Sequence, residues 1–143
     1  MSTFATQYAP VIWVTLLYIL LYYVFLLNIL RVKLKLLKKN KAQGTHFDRY
    51  GAPDPEMLAA DRIQLNTLEH MPPFLILLWL QAFCASVQSA SVCGGIYLVL
   101  RMLYPFFLGS KLKKNIPKRL LFNTFSGYAV MVVMSGFIIA SLL

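Results

Sequence analysis

The sequence predicts an all-α integral membrane protein: a four-helix transmembrane bundle with up-down topology, formed by residues 1–143 as a single domain. Three observations predict this class. The 143 residues are 59% hydrophobic with a mean hydropathy of +0.64, which is far more apolar than a soluble domain of this length. Long uncharged segments alternate with short polar ones. All but two of the 14 Lys and Arg fall within residues 31–49 and 111–119, a pattern typical of loops on one side of a membrane.

The charge distribution also excludes one class of partner. The net charge is +9, but a nucleic-acid-binding face needs cations spread over a solvated surface. Because the cations are confined to two short stretches, we expect no nucleic acid as partner. We expect instead that the basic stretches contact anionic lipid headgroups. The basic stretches would lie on the cytosolic or equivalent inner side of the endoplasmic reticulum membrane or of another organelle membrane.

Helix 1 is predicted over residues 8–30, an uncharged segment of about the 20 residues needed to cross about 30 Å of hydrocarbon. The first 30 residues carry no charged side chain, whereas a cleavable signal peptide begins with a basic stretch. Helix 1 is therefore expected to be a retained span. Residues 31–51 are predicted to form a basic loop.

Helix 2 is predicted over residues 55–87. Asp54 is a good N-cap, Pro55 suits the first helical position, and Glu56 complements the positive end of the helix dipole. The uncharged, small-residue stretch 88–95 is predicted to form the following turn. Its lack of charge places it on the side of the membrane opposite to the basic loops.

Helices 3 and 4 are predicted over residues 94–108 and 120–143, with the second basic loop, 111–119, between them. In an up-down bundle the loops after helices 1 and 3 share a side, and both are the basic ones. Two cysteines, Cys84 and Cys93, lack C-x-x-C or zinc-ligand spacing and are interpreted as packed thiols, and His70 as an interior side chain. No metal site is expected.

Charged side chains at membrane depth are costly and call for a partner or a purpose. Two stripes of polar residues share helix faces: Arg62, Asn66, Glu69 and Pro73 on helix 2, and Tyr97, Arg101, Tyr104 and Leu108 on helix 3. One interpretation is a buried ion pair between Glu69 and Arg101 that fixes helix packing. The other is a pocket for a small zwitterionic ligand, such as a peptide with two carboxylates and one amine.

Gln64 lies outside the helix 2 stripe. It is about 200° around the helix from Arg62, since successive residues are about 100° apart. We therefore expect Gln64 to face another helix or another subunit.

The segment from Arg62 to Pro73 contains the pattern R-x-Q-x-N-x-x-E-x-x-P. This pattern resembles that of the membrane-associated proteins in eicosanoid and glutathione metabolism, the MAPEG family. The segment from Tyr97 to Tyr104 resembles a second motif of this family on helix 3. The four predicted spans extend the resemblance over the whole chain.

The resemblance implies an assembly and an activity. Members of the family include microsomal glutathione transferases, cysteinyl-leukotriene synthase, a prostaglandin E synthase and a non-catalytic lipoxygenase-activating protein, and they form homotrimers with glutathione between subunits. The resemblance therefore implies a homotrimeric glutathione transferase or peroxidase. It would use glutathione as co-substrate and act by thiolate activation on lipophilic electrophiles that enter from the bilayer.

The resemblance also implies the site residues. The implied glutathione contacts are Arg62, Gln64, Asn66, Glu69, Arg101 and Tyr104, with Gln64 and Arg31 reaching the site of a neighbouring subunit. Leu108 stands where the leukotriene-synthase branch has a second glutathione-binding tyrosine. Asn115 falls near the place of its thiol-activating arginine. The candidates for thiolate stabilisation are then Arg31, Lys113, Lys114 and Arg119.

Two other functions remain open from the sequence. One is a non-catalytic membrane scaffold of the same fold, which presents lipid or serves as an accessory subunit of a larger complex. The other is a proton or ion pathway through Glu69 and the two arginines at membrane depth. Helices 1 and 4 contain no residues that would continue such a pathway.

Overall fold

The computed structural model of the chain describes residues 3–52, 54–112, 115 and 117–143. Within these residues the chain forms four α-helices: α1 (Phe4–Ala42), α2 (Pro55–Cys84), α3 (Val87–Leu108) and α4 (Lys118–Leu142). In the described part of the chain, α1, α3 and α4 are long and apolar enough to cross a membrane, whereas α2 is more polar. The architecture is that of a helical membrane protein.

The central pair of the bundle is α2 and α3, which contact each other and both flanking helices, α1 and α4. Three buried clusters run along this bundle. The largest joins all four helices around Tyr18, Phe74, Tyr97 and Met134. A second surrounds Tyr104, and a third packs α1 against the first turns of α2.

Helix α1 is longer than the sequence analysis predicts. It continues to Ala42, so residues 31–42 are helical and the predicted basic loop begins only after them. Two causes account for this. Leucine and lysine are good helix formers, and no glycine or proline interrupts the segment before Gly44. Val32 and Leu36 are also buried against Met57 and Ala60 of α2, so tertiary packing supports the extra turns.

The connection from α1 to α2 is fixed by polar contacts. Asp48 accepts hydrogen bonds from the backbone N–H groups of Gly51 and Tyr50, which hold the pKa of its carboxyl below the usual value. The Asp54 side chain accepts from the N–H of Glu56 at 2.7 Å, so the predicted N-cap is confirmed.

Two ion pairs then tie the basic segment to α2. Lys35 Nζ lies 2.6 Å from Glu56 Oε1, and Arg49 Nη2 lies 2.6 Å from Asp61 Oδ1. Both join the α1 side of the connection to the first two turns of α2.

Helix α3 begins seven residues earlier than the sequence analysis predicts, at Val87 rather than Gly94. The turn between α2 and α3 is only Ala85–Ser86, and Ser86 is the N-cap. The small residues after it serve close helix packing instead of a turn, since Ala90, Cys93 and Gly94 are buried. A span starting at residue 94 would have been about 22 Å long, too short for about 30 Å of hydrocarbon.

Gly94 marks the closest approach of α3 to its neighbours. A Cβ atom built on Gly94 would lie 2.7 Å from Leu78 Cδ1 and 2.9 Å from Val14 Cγ1. The adjacent Gly95 has nothing within 4 Å of such an atom. Three helices can therefore meet at this point only because position 94 has no side chain.

We predict that Gly94→Ala lowers the free energy of unfolding by about 1–3 kcal/mol, because a methyl group would overpack this contact. Val14 is β-branched and has little freedom to move aside. Gly95→Ala is the matched control and should have no such effect. Thermal unfolding of both variants in mild detergent measures the difference, and equal midpoints would contradict the packing described at Gly94.

The remaining differences concern single residues. Helix α4 starts at Lys118, two residues before the predicted start. Cys93 is buried as predicted, but the prediction of a packed thiol is wrong for Cys84, which is exposed at the end of α2. His70 is buried as predicted, and its ring makes a T-shaped contact with that of Tyr128 at a centroid distance of 5.1 Å.

Candidate functional site

The candidate site is centred on Arg101, a charged side chain in the interior of the bundle. It lies on α3 and is only 3% exposed. Its Nη1 donates to Asn66 Oδ1 of α2 at 2.6 Å, and its Nη2 donates to the Tyr97 hydroxyl at 2.7 Å. The guanidinium carbon also lies 4.9 Å from the centre of the Tyr97 ring. Two neutral partners and one aromatic ring thus hold the guanidinium in place.

The position of Arg101 follows from helix periodicity and from one glycine. Tyr97 precedes Arg101 by four residues, so both lie on one face of α3. Gly127 of α4 lies against them: a Cβ atom there would be 3.4 Å from Tyr97 Cε2 and 3.5 Å from Arg101 Nη2. A residue larger than alanine at this position would compete with the guanidinium for space.

The other residues of the two stripes lie around this centre. Tyr104 is buried, and it lies close to Arg62, Arg101 and Glu69. Asn66 is half-buried, whereas Arg62 and Glu69 are exposed on the outside of the single chain. The structure therefore brings these predicted site residues together, with Arg62 and Glu69 at the surface of α2.

The ion pair considered in the sequence analysis does not form. Within the described residues, the salt bridges are those of Lys35 with Glu56 and of Arg49 with Asp61. The Arg101 guanidinium is instead hydrogen-bonded to an amide and a phenol, neither of which carries negative charge. A buried cation with neutral partners is ready to receive an anionic group.

Gln64 lies apart from this cluster, as its position on the helix predicts. Its Nε2 donates to the hydroxyl of Tyr22 on α1 at 3.1 Å. The side chain thus faces another helix of the same chain, which is one of the two expectations. Its role towards a neighbouring subunit stays a prediction.

Arg31 and Arg119, two of the cations expected to stabilise a thiolate, do not join the Arg101 cluster in the single chain. Arg31 lines a crevice of about 310 Å³ between α1, α2 and the end of α3, together with Asn28, Glu56 and Ser110. Arg119 lines a separate groove beside Phe106. Lys113 and Lys114 lie outside the described residues.

The described residues contain no group of three or more His, Cys, Asp or Glu side chains arranged to hold a metal ion. Arg101 and its partners supply hydrogen-bond donors and a positive charge. They suit the binding of a carboxylate better than the coordination of a metal.

One residue of the site and one buried polar residue of α4 were not predicted as functional from the sequence. The Tyr97 hydroxyl accepts from Arg101, although only the helix spacing pointed to it. Asn123 of α4 is 3% exposed, and its Oδ1 has no hydrogen-bond partner within the described residues. The polar amide of Asn123 within a largely apolar span is the sequence feature that could have predicted this residue.

We predict that Tyr97→Phe lowers the free energy of unfolding by about 1.5–3 kcal/mol, because a hydrogen bond to a buried charged group is lost. The ring stack with Phe74, at a centroid distance of 4.2 Å, is retained. Tyr128→Phe, at an exposed residue of α4, is the control. Chemical or thermal unfolding in detergent compares them. An unchanged midpoint for Tyr97→Phe would mean that the hydroxyl does not hold the guanidinium.

The fold and the site together define a class: a helical membrane protein with a cationic, hydrogen-bonded site between two helices. The model of the MAPEG family matches residues 11–140, which is most of the chain and covers α2, α3 and nearly all of α1 and α4. The chain belongs to the MAPEG family. Comparison with curated proteins gives no match.

Proposed function

We propose that this protein is a membrane-bound glutathione transferase or peroxidase that acts on lipophilic electrophiles. The observation that carries the proposal is the buried Arg101, held by Asn66 and Tyr97 without a negatively charged partner among the described residues. Glutathione has two carboxylates, one amine and one thiol. Membership of the MAPEG family fits this ligand.

The residues of the site have complementary charges for such a ligand. Arg101 would bind one carboxylate, and the exposed Arg62 beside Tyr104 would bind the other. Glu69 would accept from the ammonium group. Asn66 fixes the guanidinium and has its amide N–H groups left to donate. Each contact is charge-assisted, and such contacts contribute about 1.5–3 kcal/mol apiece.

The proposed catalytic mechanism is activation of the glutathione thiol as a thiolate. A cation near the thiol lowers the thiol pKa, and the thiolate is the attacking species. In a transfer reaction, the sulfur forms a bond to the electrophilic carbon, and the leaving group departs with its electron pair. The candidates for this cation are Arg31, Lys113, Lys114 and Arg119. In the single chain Arg31 and Arg119 line other surfaces, so either of these two would reach the sulfur only from a neighbouring subunit.

We propose a homotrimer for this reason. Arg62 and Glu69 lie exposed on the single chain, so a second copy packed against α2 would enclose the ligand and exclude water. Gln64 and Arg31 would reach the neighbouring site. Native mass spectrometry in mild detergent should show three copies, and a stable monomer that binds glutathione equally well would contradict a shared site.

We also propose an up-down topology in which all four helices cross the bilayer. It is supported by the three buried clusters, where rising residue numbers on one helix meet falling numbers on the next. The basic connections then lie on the inner side of an organelle membrane, next to anionic headgroups. Thiol labelling of Asn40→Cys and Gln88→Cys, in a Cys84→Ser and Cys93→Ala background, should occur from opposite sides. Labelling from one side would contradict this topology.

A turnover assay tests the proposed activity. The purified protein in lipid nanodiscs is given glutathione and a hydrophobic chloronitrobenzene, and a second sample a lipid hydroperoxide. We expect conjugate or alcohol formation above the uncatalysed rate. No turnover with either substrate, while glutathione binds, would leave the second candidate, a non-catalytic scaffold. That candidate is favoured by Asn115, which the family resemblance places near the thiol-activating arginine of the leukotriene-synthase branch.

A further inference from the structure

Two consecutive prolines in the middle of α2 change the hydrogen bonding of one main-chain carbonyl. In an α-helix the carbonyl of residue i accepts from the N–H of residue i+4, and in a tighter turn from that of residue i+3. Pro72 and Pro73 are the residues at i+3 and i+4 from Glu69, and proline has no N–H. The Glu69 carbonyl therefore has no donor of either kind within its own helix.

Pro73 is the residue that removes the regular donor. The pattern R-x-Q-x-N-x-x-E-x-x-P ends at Pro72, and with Pro72 alone the N–H of residue 73 would still bond to the Glu69 carbonyl. In a straight helix the ring of Pro73 also clashes with this carbonyl, so the carbonyl tilts away from the helix axis. Pro73 thus leaves the Glu69 oxygen free to accept from a group outside the helix.

The free carbonyl lies on the face of α2 that carries the candidate site. Residues i and i+4 share a helix face, so the Glu69 main-chain oxygen lies between the side chains of Glu69 and Pro73. Both residues are exposed on the single chain, as is Arg62 two turns earlier. Tyr104 of α3 lies close to Glu69. The main-chain oxygen is therefore presented to the same ligand as the Glu69 carboxylate.

Membrane depth makes an unbonded carbonyl costly at this position. Glu69 lies at the middle of α2, which has 30 residues, so it is about 20 Å from either end of the helix. Hydrocarbon offers no donors at such a depth. Within the described residues, the carbonyls of α2 that accept from a side chain are those of Ile63 and Thr67, on the buried face. The partner of the Glu69 carbonyl therefore has to come from a ligand or from a second copy of the chain.

We propose that the Glu69 main-chain carbonyl is a second acceptor for the ammonium group of the bound ligand, and that Pro73 is the positioning residue that keeps this carbonyl free. The inference rests on the proposed function, in which the Glu69 carboxylate accepts from the ammonium group of glutathione. An ammonium group has three N–H donors. The carboxylate takes one or two of them, and the carbonyl takes another. The two acceptors together select a ligand with a free amine over one without it.

Replacing Pro73 by alanine tests its role, because alanine supplies the missing N–H and is a good helix former. That N–H bonds to the Glu69 carbonyl within the helix and withdraws it from the ligand. Pro72→Ala is the matched control. It removes a proline from the same pair, but its N–H is the i+4 donor for the Leu68 carbonyl. Both variants are measured as the full-length protein in lipid nanodiscs.

The first readout compares two ligands. Calorimetric titration is carried out with glutathione and with its desamino analogue, in which hydrogen replaces the amino group. We expect Pro73→Ala to weaken glutathione binding about tenfold, because one charge-assisted hydrogen bond is lost, and to leave binding of the analogue unchanged. Pro72→Ala should leave both affinities nearly unchanged.

Two other roles of Pro73 have their own outcomes. Equal losses for glutathione and the desamino analogue would mean that Pro73 only shapes the helix. A loss of affinity that accompanies dissociation of the oligomer would mean that a second copy supplies the donor to the Glu69 carbonyl. Either result would overturn the proposal.

Infrared spectroscopy observes the carbonyl itself. The chain contains two glutamates, Glu56 and Glu69, so cell-free synthesis with glutamate carrying carbon-13 at its main-chain carbonyl labels two positions. Glu56 lies in the first turn of α2, away from the two prolines, and serves as the internal reference. Glutathione should move the Glu69 band to lower wavenumber. In Pro73→Ala this band should coincide with the Glu56 band and should not move.

Failure of this inference and failure of the proposed function give different results. No saturable binding of glutathione to the parent protein would overturn both. Intact binding without a shift of the Glu69 band, or equal affinity of the parent protein and Pro73→Ala for glutathione, would overturn the role of the carbonyl alone.

Discussion

Replacing Arg101 by leucine is expected to weaken glutathione binding about ten- to a hundredfold. The guanidinium is buried, and it is the centre to which Asn66 and Tyr97 are hydrogen-bonded. A charge-assisted contact to a carboxylate contributes about 1.5–3 kcal/mol, and each 1.4 kcal/mol changes affinity about tenfold. Calorimetric titration of glutathione into the purified variant measures the loss.

Two further variants distinguish the loss of a specific carboxylate contact from a change in net charge. Arg101→Lys retains the charge but lacks the planar fork, so it cannot replace both hydrogen bonds and should give an intermediate loss. Lys39→Leu removes an exposed cation from the end of α1 and should change affinity little. Equal losses from Arg101→Leu and Lys39→Leu would show that the effect comes from net charge and not from a built site.

Glutathione bound to this protein is expected to be about a quarter to three quarters ionised at its thiol at pH 7. A free thiol with a pKa near 8.5 is only a few per cent ionised at that pH. One nearby cation lowers the thiol pKa by about one to two units, because each unit corresponds to about 1.4 kcal/mol of preferential thiolate stabilisation. The ultraviolet absorbance of the thiolate in the bound complex measures the ionised fraction.

Variants identify the cation. Arg31→Gln or Arg119→Gln should bring the ionised fraction of the bound thiol back towards that of free glutathione, whereas Lys39→Gln should not. Since the thiol pKa is lowered in the complex, the rate should rise with pH and level off above the lowered value. A bound complex with no more thiolate than free glutathione would support the non-catalytic scaffold.

The sequence predicted the class of fold because composition and loop charge are global signals. It misplaced helix ends where tertiary packing decides. Residues 31–42 are basic, so they resembled a loop, but Val32 and Leu36 find a surface on α2 that makes the helix continue. Gly94 and Gly95 resembled a turn, yet Gly94 serves a close helix contact.

The candidate site was also predicted only in part. Helix spacing grouped Arg62, Asn66 and Glu69, and it placed Arg101 on the facing helix. It did not decide between an ion pair with Glu69 and hydrogen bonds with Asn66 and Tyr97. That choice depends on distances between the helices of the bundle, and the periodicity of the sequence does not determine these distances. The contributions of Arg31 and Gln64 across subunits depend on an assembly that one chain does not contain.

The central claim is that Arg101 and its neighbours form a site for the carboxylates of glutathione. Calorimetric titration of the intact protein in lipid nanodiscs tests it most directly, with glutathione and its dimethyl ester compared as ligands. We predict saturable binding of glutathione and at least tenfold weaker binding of the diester, which lacks both negative charges. Equal affinity for the two ligands, or no saturable binding of glutathione, would contradict the account.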